Sequence, residues 1–380
     1  MSDVISLLQS LVRIPSVNPS SAGPQELGGE ARLVDFLEDW LRAAGLQTTR
    51  QPVAPGRENL LALYPGSAPR ALLLEAHLDT VGTAGYHGDP FSGAREGGRV
   101  LGRGACDCKA SMAAACCAAR RVAQERLAGG VLLAFTVDEE HLFAGINTLV
   151  AAPLPLPVAG AVVGEPTGLD VINRHGGAVR LWLTVHGQAA HSAYPQYGRN
   201  AIFAAAHLIT ALEHHHLELQ AGADPEQGVR TCSVTLVQGG DVINMIPDWC
   251  RVGVDRRLRP DEQPAQVLEQ LREVAQRAVA QGFPWELETI LLDPPLPPAT
   301  PAPLAELCRQ AVQAVRGSAQ MRGVNYSTDA SNLAQIGMEA VVLGPGDIAQ
   351  AHTAEEWVEV AEVEQAEEIY YRIVREVGEG

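Results

Sequence analysis

A histidine and an aspartate stand two residues apart at the end of an apolar run, LLLEAHLDTV, at residues 72–81. Side chains alternate along a strand, so we expect His77 and Asp79 on the same side of a sheet, at its edge. A histidine that binds metal usually donates its second ring N–H to a carboxylate, and this spacing offers such a partner. Taken alone, the pair also fits a simple hydrogen bond near a strand end. With other ligands nearby, it would favour metal binding.

Three further apolar runs lead to residues that can bind metal. They reach Glu139 and Glu140, then Glu165, and finally His352. Asp107 lies between these runs, in a glycine-containing loop before an alanine-rich helical segment. Apolar runs that alternate with helical segments predict a largely parallel α/β sheet covered on both faces. Ligands bind such sheets outside the carboxyl ends of the strands, so these residues are expected to converge at one edge.

Composition limits the kind of protein in which these residues act. A chain of 380 residues, 46% hydrophobic, with a mean hydropathy near zero, predicts a globular protein of two domains. A formal charge of −17 without a basic stripe argues against nucleic acid and anionic membranes as partners. We expect no signal peptide and no membrane span. The seven cysteines fit no zinc-finger spacing, which favours reduced thiols and a cytoplasmic location.

The middle of the chain has a different order of elements. From residue 178 to residue 292 the pattern reads strand, helix, two strands, helix and strand. This βαββαβ order is that of a ferredoxin-like fold. We therefore expect residues 176–290 to form a small domain inserted into a metal-binding catalytic domain of residues 1–175 and 291–380. A proline-rich segment at 293–303 is expected to form a stiff return to the first domain.

Eight short motifs, in order along nearly the whole chain, resemble one enzyme family. They are HLDTV, GRGACDCKASMAA, DEE, GEPTG, HSAYPQYGRNAI, NMIPD, VDRRL and AHTAEEWV. The chain resembles the two-zinc aminoacylases and peptidases that include acetylornithine deacetylase, succinyl-diaminopimelate desuccinylase and carboxypeptidase G. The resemblance implies a zinc-peptidase-like mixed sheet flanked by helices, and it makes the inserted domain a lid and dimerisation domain.

The resemblance also implies a ligand set for two metal ions. It assigns His77 and Glu165 to one ion, Glu140 and His352 to the other, and Asp107 to both as a bridge. Two histidines and three carboxylates suit zinc, with cobalt or manganese as alternatives. Two cations about 3.5–4 Å apart lower the pKa of a bridging water and polarise the scissile carbonyl together.

Glu139 is implied to be the general base, and Asp79 the partner that orients His77. Because Glu139 and Glu140 are adjacent at a strand end, their side chains point different ways. One can then bind metal while the other takes a proton from water. On its own, DEE would also fit a solvated acidic turn.

The lid is expected to supply contacts to the substrate. By resemblance, His191 reaches the active site of a partner subunit and stabilises the oxyanion. Arg257 matches the arginine that grips a substrate carboxylate, and Arg256 is then expected on the other face. Asn244 and Gly344 are expected to line the pocket. An edge strand such as LWLTVHG could pair with its own copy, so we expect a homodimer through the lid.

The sequence leaves the role of two further features open. Lys109 is the only lysine in the chain, which favours a local need for the smaller cationic group, with chance retention as the alternative. We expect an ion pair there. The three histidines at 214–216 could hold a metal, but at the end of a polar helix we expect a solvated surface feature.

These features predict a hydrolase that removes the acyl group of an N-acyl amino acid or cleaves a short peptide, with deacetylation of acetylornithine as the first expectation. Alternatives in the same class are succinyl-diaminopimelate desuccinylase, a general aminoacylase, and a glutamate-releasing carboxypeptidase or dipeptidase. A more distant alternative is a zinc-stabilised binding protein without catalysis. Glu139 argues against it, because a non-catalytic descendant would have no reason to keep a base beside an intact ligand set.

Overall fold

The computed structural model describes residues 3–23, 28–221 and 230–379. This part of the chain divides into two compact units. The first unit takes its residues from Met1–Asn173, Pro298–Arg322 and Thr328–Gly380, and the second from Arg174–Pro297 and Gly323–Ser327. The sequence suggested 176–290 for the inserted domain. The structural unit extends this range at both ends and adds the short segment at 323–327.

A mixed eight-stranded sheet forms the centre of the first unit. Its strands are β1 (Gln47–Ala54), β2 (Arg57–Tyr64), β3 (Ala71–His77), β6 (Gly130–Thr136), β7 (Val158–Val163), β8 (Val171–His175), β15 (Met321–Val324) and β16 (Ala340–Val342), numbered along the whole chain. The strand order is β1-β2-β6-β3-β7-β16-β8-β15. The four neighbours β6, β3, β7 and β16 run parallel, whereas β1, β2 and β6 pair antiparallel. The predicted mixed α/β sheet is confirmed, and the parallel order holds at its centre.

Helices pack on this sheet and bury one continuous apolar core. They are α1 (Asp3–Val12), α2 (Ala31–Ala43), α3 (Lys109–Glu125), α4 (Ala144–Ala151), α7 (Pro303–Arg316), α8 (Ala330–Gln335) and α9 (Val360–Glu379). The alanine-rich α3 contacts both α1 and α9, because its small side chains let neighbouring helices approach closely. The core joins these helices to apolar strand residues such as Leu72, Leu133 and Phe135.

The parallel centre of the sheet determines where polar side chains gather. His77 is the last residue of β3, and Asp79 follows it. Glu139 and Glu140 follow β6, and Glu165 follows β7. Because β3, β6 and β7 are parallel neighbours, their carboxyl ends lie at one edge of the sheet.

The second unit has the predicted βαββαβ order. Its elements are β9 (Gly177–His186), β10 (Ala190–His191), α5 (Ala201–Ala221), β11 (Thr231–Gly239), β12 (Met245–Ile246), β13 (Trp249–Leu258), α6 (Pro264–Ala278) and β14 (Trp285–Asp293). The four long strands form an antiparallel sheet in the order β11-β13-β9-β14. Its apolar side chains pack with those of α5 and α6 in a separate core. The ferredoxin-like part of the predicted fold is therefore confirmed.

The expectation that LWLTVHG forms an edge strand is wrong. These residues lie in β9, which pairs with β13 on one side and with β14 on the other. The edges of this sheet are β11 and β14. The partners of β9 come from later in the chain, and the alternation of its side chains reports which face is buried, not which strands lie beside it.

Two smaller sheets and two short turns complete the fold. A three-stranded sheet has the order β17-β5-β4, from β4 (Arg95–Glu96), β5 (Arg99–Leu101) and β17 (Trp357–Glu359), and β10 pairs with β12. Short 3₁₀ turns lie at Pro195–Tyr197 and Ile348–Gln350. No helix in the described ranges is long and apolar enough to cross a membrane.

Candidate metal centre

The five side chains predicted as metal ligands lie together beyond the carboxyl ends of β3, β6 and β7. His77 Nε2 lies 2.9 Å from Asp107 Oδ1 and 3.6 Å from Glu165 Oε1. His352 Nε2 lies 3.3 Å from Asp107 Oδ2 and 3.1 Å from Glu140 Oε1. Asp107 therefore turns one carboxylate oxygen toward each of two groups of possible ligands.

The donors of each group are close enough to share an ion. In the first group, one ligand atom from each of His77, Asp107, Cys108 and Glu165 lies within 4.8 Å of the others. The second group contains Asp107 with the two remaining ligands, within the same limit. Imidazole nitrogens and carboxylate oxygens at this spacing suit a divalent ion such as zinc. The residues present thus fit two metal ions that share Asp107.

The acidic groups of the centre raise the pKa of both histidines. Hydrogen bonds to Asp107 and Glu140 raise the pKa of His352 to about 10. Burial lowers the pKa of His77, but the acidic groups around it, Glu165 among them, raise that pKa well above its ordinary value. A metal ion competes for the same ring nitrogens and carboxylate oxygens, so its binding would displace these protons.

Asp79 connects His77 to the segment that carries Glu139 and Glu140. Its carboxylate accepts the backbone N–H groups of Glu139 and Glu140, both at 3.1 Å. His77 Nδ1 lies 2.9 Å from the backbone oxygen of Asp79 and 3.7 Å from its carboxylate Oδ1. The ring is thus oriented mainly by the backbone carbonyl of Asp79, whereas the sequence suggested its carboxylate.

Glu139 is held beside the ligands through its backbone. The bond from its N–H to Asp79 fixes the chain direction, and the side chain is half-buried. Burial raises the pKa of the Glu139 carboxyl group well above its usual range. A higher proton affinity favours a group that takes a proton from water, which is what a general base does.

Asn18 supports this segment and was not identified from the sequence. Its side-chain amide donates to Asp79 Oδ2 at 2.7 Å and to Asp138 Oδ1 at 3.0 Å, and it is fully buried. Arg57 reaches the same oxygen of Asp138 at 2.7 Å. Asn18 stands in RIPSVNP near the start of the chain, and nothing in the periodicity of that segment points to the centre.

Glu356 is a second residue that the sequence analysis missed. Its buried carboxylate accepts the backbone N–H groups of Gly104, Cys106 and Asp107 at 3.0, 2.9 and 3.0 Å. Arg103 donates to it at 2.7 Å. Glu356 therefore holds the loop that carries the shared carboxylate. Its place four residues after His352, in the motif AHTAEEWV, is the signal that could have identified it.

Lys109 does not form the expected ion pair. Its Nζ donates at 3.1 Å to the backbone oxygen of Leu11, in the last turn of α1, and at 2.8 Å to that of Ile14, just after the helix. Burial lowers the pKa of this ammonium group to about 7. A compact ammonium group can donate to both of these carbonyl oxygens at once.

Gly344 lies against the segment of the candidate metal ligand Glu165. Its N–H donates to Thr167 Oγ1 at 3.2 Å. A Cβ at this position would lie 2.5 Å from the backbone oxygen of Glu165 and 2.4 Å from Ser111 Oγ. Only glycine allows this close approach, so Gly344 helps to place Glu165. A contact between Gly344 and substrate stays a prediction.

Comparison with known proteins identifies the family. Residues 73–376 match Peptidase family M20/M25/M40. The chain belongs to this family. It is 32% identical over 386 aligned residues to the acetylornithine deacetylase of Myxococcus xanthus, covering 98% of each chain. It is 30% identical over 367 aligned residues to the acetylornithine deacetylase of Edwardsiella ictaluri (strain 93-146), covering 93% of this chain and 92% of that protein.

Solved structures of the M20 family share the fold. The metallo-carboxypeptidase Sso-CP2 of Sulfolobus solfataricus superposes with a TM-score of 0.81 at 17% identity, covering 100% of both chains. The YXEP protein of Bacillus subtilis, described as a dinuclear metal binding peptidase, gives a TM-score of 0.72 at 18% identity, covering 99% of this chain and 98% of that one. As an M20-family member, the chain is a hydrolase of amide bonds.

The remaining candidate residues of this M20-family chain lie in the second unit. The exposed His191 accepts the N–H of Ala193 at its Nδ1, at 3.0 Å. Asn244 is adjacent, since its backbone oxygen accepts the N–H of Ser192 at 3.1 Å. The structure thus brings His191 and Asn244 together, and places them in a different unit from the five ligands.

Arg257 and Arg256 differ as expected for neighbours on one strand. Arg257 Nε donates to Asp255 Oδ1 at 2.8 Å, and its side chain is 35% exposed. Arg256 is fully buried and pairs with Glu262 at 2.6 Å. Arg257 is therefore the one of the two that can meet a ligand.

The histidines at 214–216 play no part in a metal group of the described residues. His216 Nδ1 accepts the backbone N–H of Cys232 at 3.1 Å. Burial lowers the pKa of His215. This cluster is thus partly built into the second unit, and is less solvated than the sequence suggested.

Proposed function

We propose that this M20-family hydrolase removes the acyl group from an N-acyl amino acid, with N-acetylornithine as the first substrate to test. The observation that carries the proposal is the position of Asp107, whose two oxygens face two separate groups of ligands. The two acetylornithine deacetylases, similar over nearly their whole length, support the choice of substrate.

The proposed ligands are His77 and Glu165 for one ion, Glu140 and His352 for the other, and Asp107 for both. Zinc is the proposed metal, with cobalt or manganese as substitutes, because the donors are mainly nitrogen and carboxylate oxygen. When bound, the ions would polarise the scissile carbonyl and make water more acidic.

Glu139 is proposed to move the proton. It would take one from the attacking water and later return it to the leaving amine. The raised pKa of its carboxyl group and the backbone bond to Asp79 support this role. Glu139 is left out of the ligand set, because Glu140 is the neighbour that approaches His352.

The second unit is proposed to bind the free carboxylate of the substrate. The side chain of Arg257 is 35% exposed, and Asp255, two residues before it, binds it through Nε. A planar guanidinium group binds a carboxylate through two parallel hydrogen bonds. Asn244 and Gly344 are proposed as further residues that contact the substrate.

A homodimer through the second unit is proposed as the working form. The edge strand β11 exposes Leu236 and Val237, and α5 exposes Phe203 and Ile202. An unpaired edge with apolar side chains favours pairing with a second copy. His191 is then proposed to act in the active site of the partner, where it would stabilise the oxyanion.

Subunit exchange tests this arrangement. Glu139→Ala and His191→Ala are each expected to inactivate a homodimer. In mixed dimers one of the two sites regains both residues, so random exchange should return activity to roughly a quarter of the wild-type value. If mass spectrometry confirms exchange and no activity returns, His191 does not act across subunits.

A substrate panel tests the activity itself. N-acetyl, N-formyl and N-succinyl amino acids and dipeptides are incubated with metal-depleted protein and with protein reloaded with zinc or cobalt. We expect release of free amine from N-acetylornithine only after reloading. Faster release from N-succinyl substrates would instead favour a desuccinylase, and from dipeptides a peptidase. No release from any substrate by the reloaded protein would favour the non-catalytic alternative.

A further inference from the structure

Cys108 directly follows the shared ligand Asp107 and precedes the first turn of α3. It is fully buried. Its sulfur lies within 4.8 Å of a ligand atom of each of His77, Asp107 and Glu165. Ligand atoms of one zinc ion lie roughly 3–4.5 Å apart, since each is about 2.0–2.3 Å from the metal. The four donors therefore occupy about the space of one ligand shell.

The sulfur of Cys108 lies 3.5 Å from the backbone oxygen of His77, a weak thiol hydrogen bond that a bond to a metal ion could replace. Cys106, on the other side of Asp107, provides the contrast. Its sulfur turns to the backbone oxygen of Asp347 at 3.4 Å and belongs to neither ligand group. Of the two cysteines that flank Asp107, one therefore faces the centre.

The two groups of ligands differ in chemistry because of this cysteine. The first group combines nitrogen, oxygen and sulfur donors and is buried throughout. The second group contains only nitrogen and oxygen donors, and the side chain of His352 is 52% exposed. Thiolate ligands favour soft and borderline ions such as cadmium, zinc and cobalt, whereas oxygen ligands suit manganese and magnesium.

We propose that Cys108 is a ligand of the metal ion held by His77 and Glu165, and that it makes this position select zinc, cobalt or cadmium over manganese. The assignment rests on the two-metal centre proposed above. On binding, the thiol gives its proton to water and the resulting thiolate joins the metal, with no change of oxidation state. The position held by Glu140 and His352 lacks this preference.

Cobalt(II) absorption tests the assignment, because a thiolate bound to cobalt produces an intense near-ultraviolet charge-transfer band that nitrogen and oxygen ligands do not. The metal-depleted protein is titrated with cobalt, and bound cobalt is counted by atomic absorption. The wild-type protein should develop the band as the first ion binds. Cys108→Ser should lose it. Cys106→Ser, the matched control beside the same aspartate, should keep it.

Cobalt content separates this assignment from the wider proposal. Two bound cobalt ions without a charge-transfer band in the wild-type protein would overturn the role of Cys108 and leave the two-metal centre in place. A protein that binds no cobalt would overturn both. Wild-type protein alone decides the question if Cys108→Ser fails to fold. A band that persists in folded Cys108→Ser would also contradict the assignment.

Competition between metals gives a second measurement. Cys108→Ser should lower the affinity of one of the two positions for zinc and cadmium while leaving manganese affinity nearly unchanged, because only the soft ions lose a favoured ligand. An equal loss for zinc and manganese would show that the substitution merely disturbs the loop of Asp107.

Discussion

Asp107 donates its backbone N–H to Glu356 Oε1 at 3.0 Å. This bond joins the loop of the shared carboxylate to the segment of His352, which lies four residues before Glu356. The same carboxylate also holds the N–H groups of Gly104 and Cys106. One buried side chain thus positions candidate ligands from two distant parts of the sequence.

Replacing Glu356 should therefore weaken metal binding without removing a ligand. In Glu356→Gln an amide NH₂ replaces one acceptor oxygen, so the bonds from Gly104 and Arg103 or those from Cys106 and Asp107 are lost. Loss of a group that orients a ligand typically lowers metal affinity by about 10–100-fold. Titration against a competing chelator measures this.

The control for this prediction is the adjacent residue. Glu355 is exposed and pairs with the exposed His87, so Glu355→Gln should bind metal as the wild-type protein does. Equal affinities for the Glu356→Gln and Glu355→Gln variants would contradict the positioning role of Glu356.

Arg257→Ala should raise KM far more than it lowers kcat for substrates with a free α-carboxylate. A bidentate grip on a carboxylate stabilises ground state and transition state alike, so its loss is mainly a loss of binding. The KM for esters of the same substrates should then no longer exceed the KM for the free acids. Arg251→Ala is the control, because Arg251 lies on the same face of β13 and pairs with Glu288. An unchanged preference for the free acid in Arg257→Ala would rule out the carboxylate contact.

Asp293 should make the second unit less stable as the pH rises. Burial raises the pKa of Asp293 to about 7 from 3.8, against the opposing effects of Ser327, Arg180 and Arg257. Between pH 4 and 7 the folded state therefore binds more protons than the unfolded chain, so the free energy of unfolding falls as the pH rises. A shift of three pKa units corresponds to about 4 kcal/mol at most.

Asp293→Asn should accordingly raise the melting temperature at pH 8 and have little effect at pH 4. Calorimetry at both values measures the difference. Asp241→Asn, which changes an exposed carboxylate in the same unit, should have no such effect. A stabilisation by Asp293→Asn that is as large at pH 4 as at pH 8 would show that the charge of Asp293 is not its cause.

The sequence predicted the parts of this centre that local patterns carry. His77, Glu140 and Glu165 stand at the ends of apolar runs, and parallel strands bring such ends to one edge of a sheet. Asn18 and Glu356 could not be found in this way, because their partners lie far away in the chain and no periodicity marks them.

The order of strands was equally hidden. The sequence of β9 shows an alternation that fits an edge or an interior strand, and only its pairing with β13 and β14 decides between them. Similarly, residues 323–327 belong to the second unit, although residues 298–322 just before them belong to the first. Such placements depend on contacts made after the elements have formed.

The central claim is tested most directly by measuring the metal content of two variants, one at Glu139 and one at the adjacent Glu140. Glu139→Gln should abolish turnover while two metal ions per chain stay bound, because the proposed role of Glu139 is to move a proton and not to bind metal. Glu140→Gln should lose the ion that it shares with His352. Atomic absorption after dialysis, with turnover of N-acetylornithine in parallel, gives both results. A Glu139→Gln protein that keeps turnover, or that loses one metal ion while Glu140→Gln keeps both, would contradict this account.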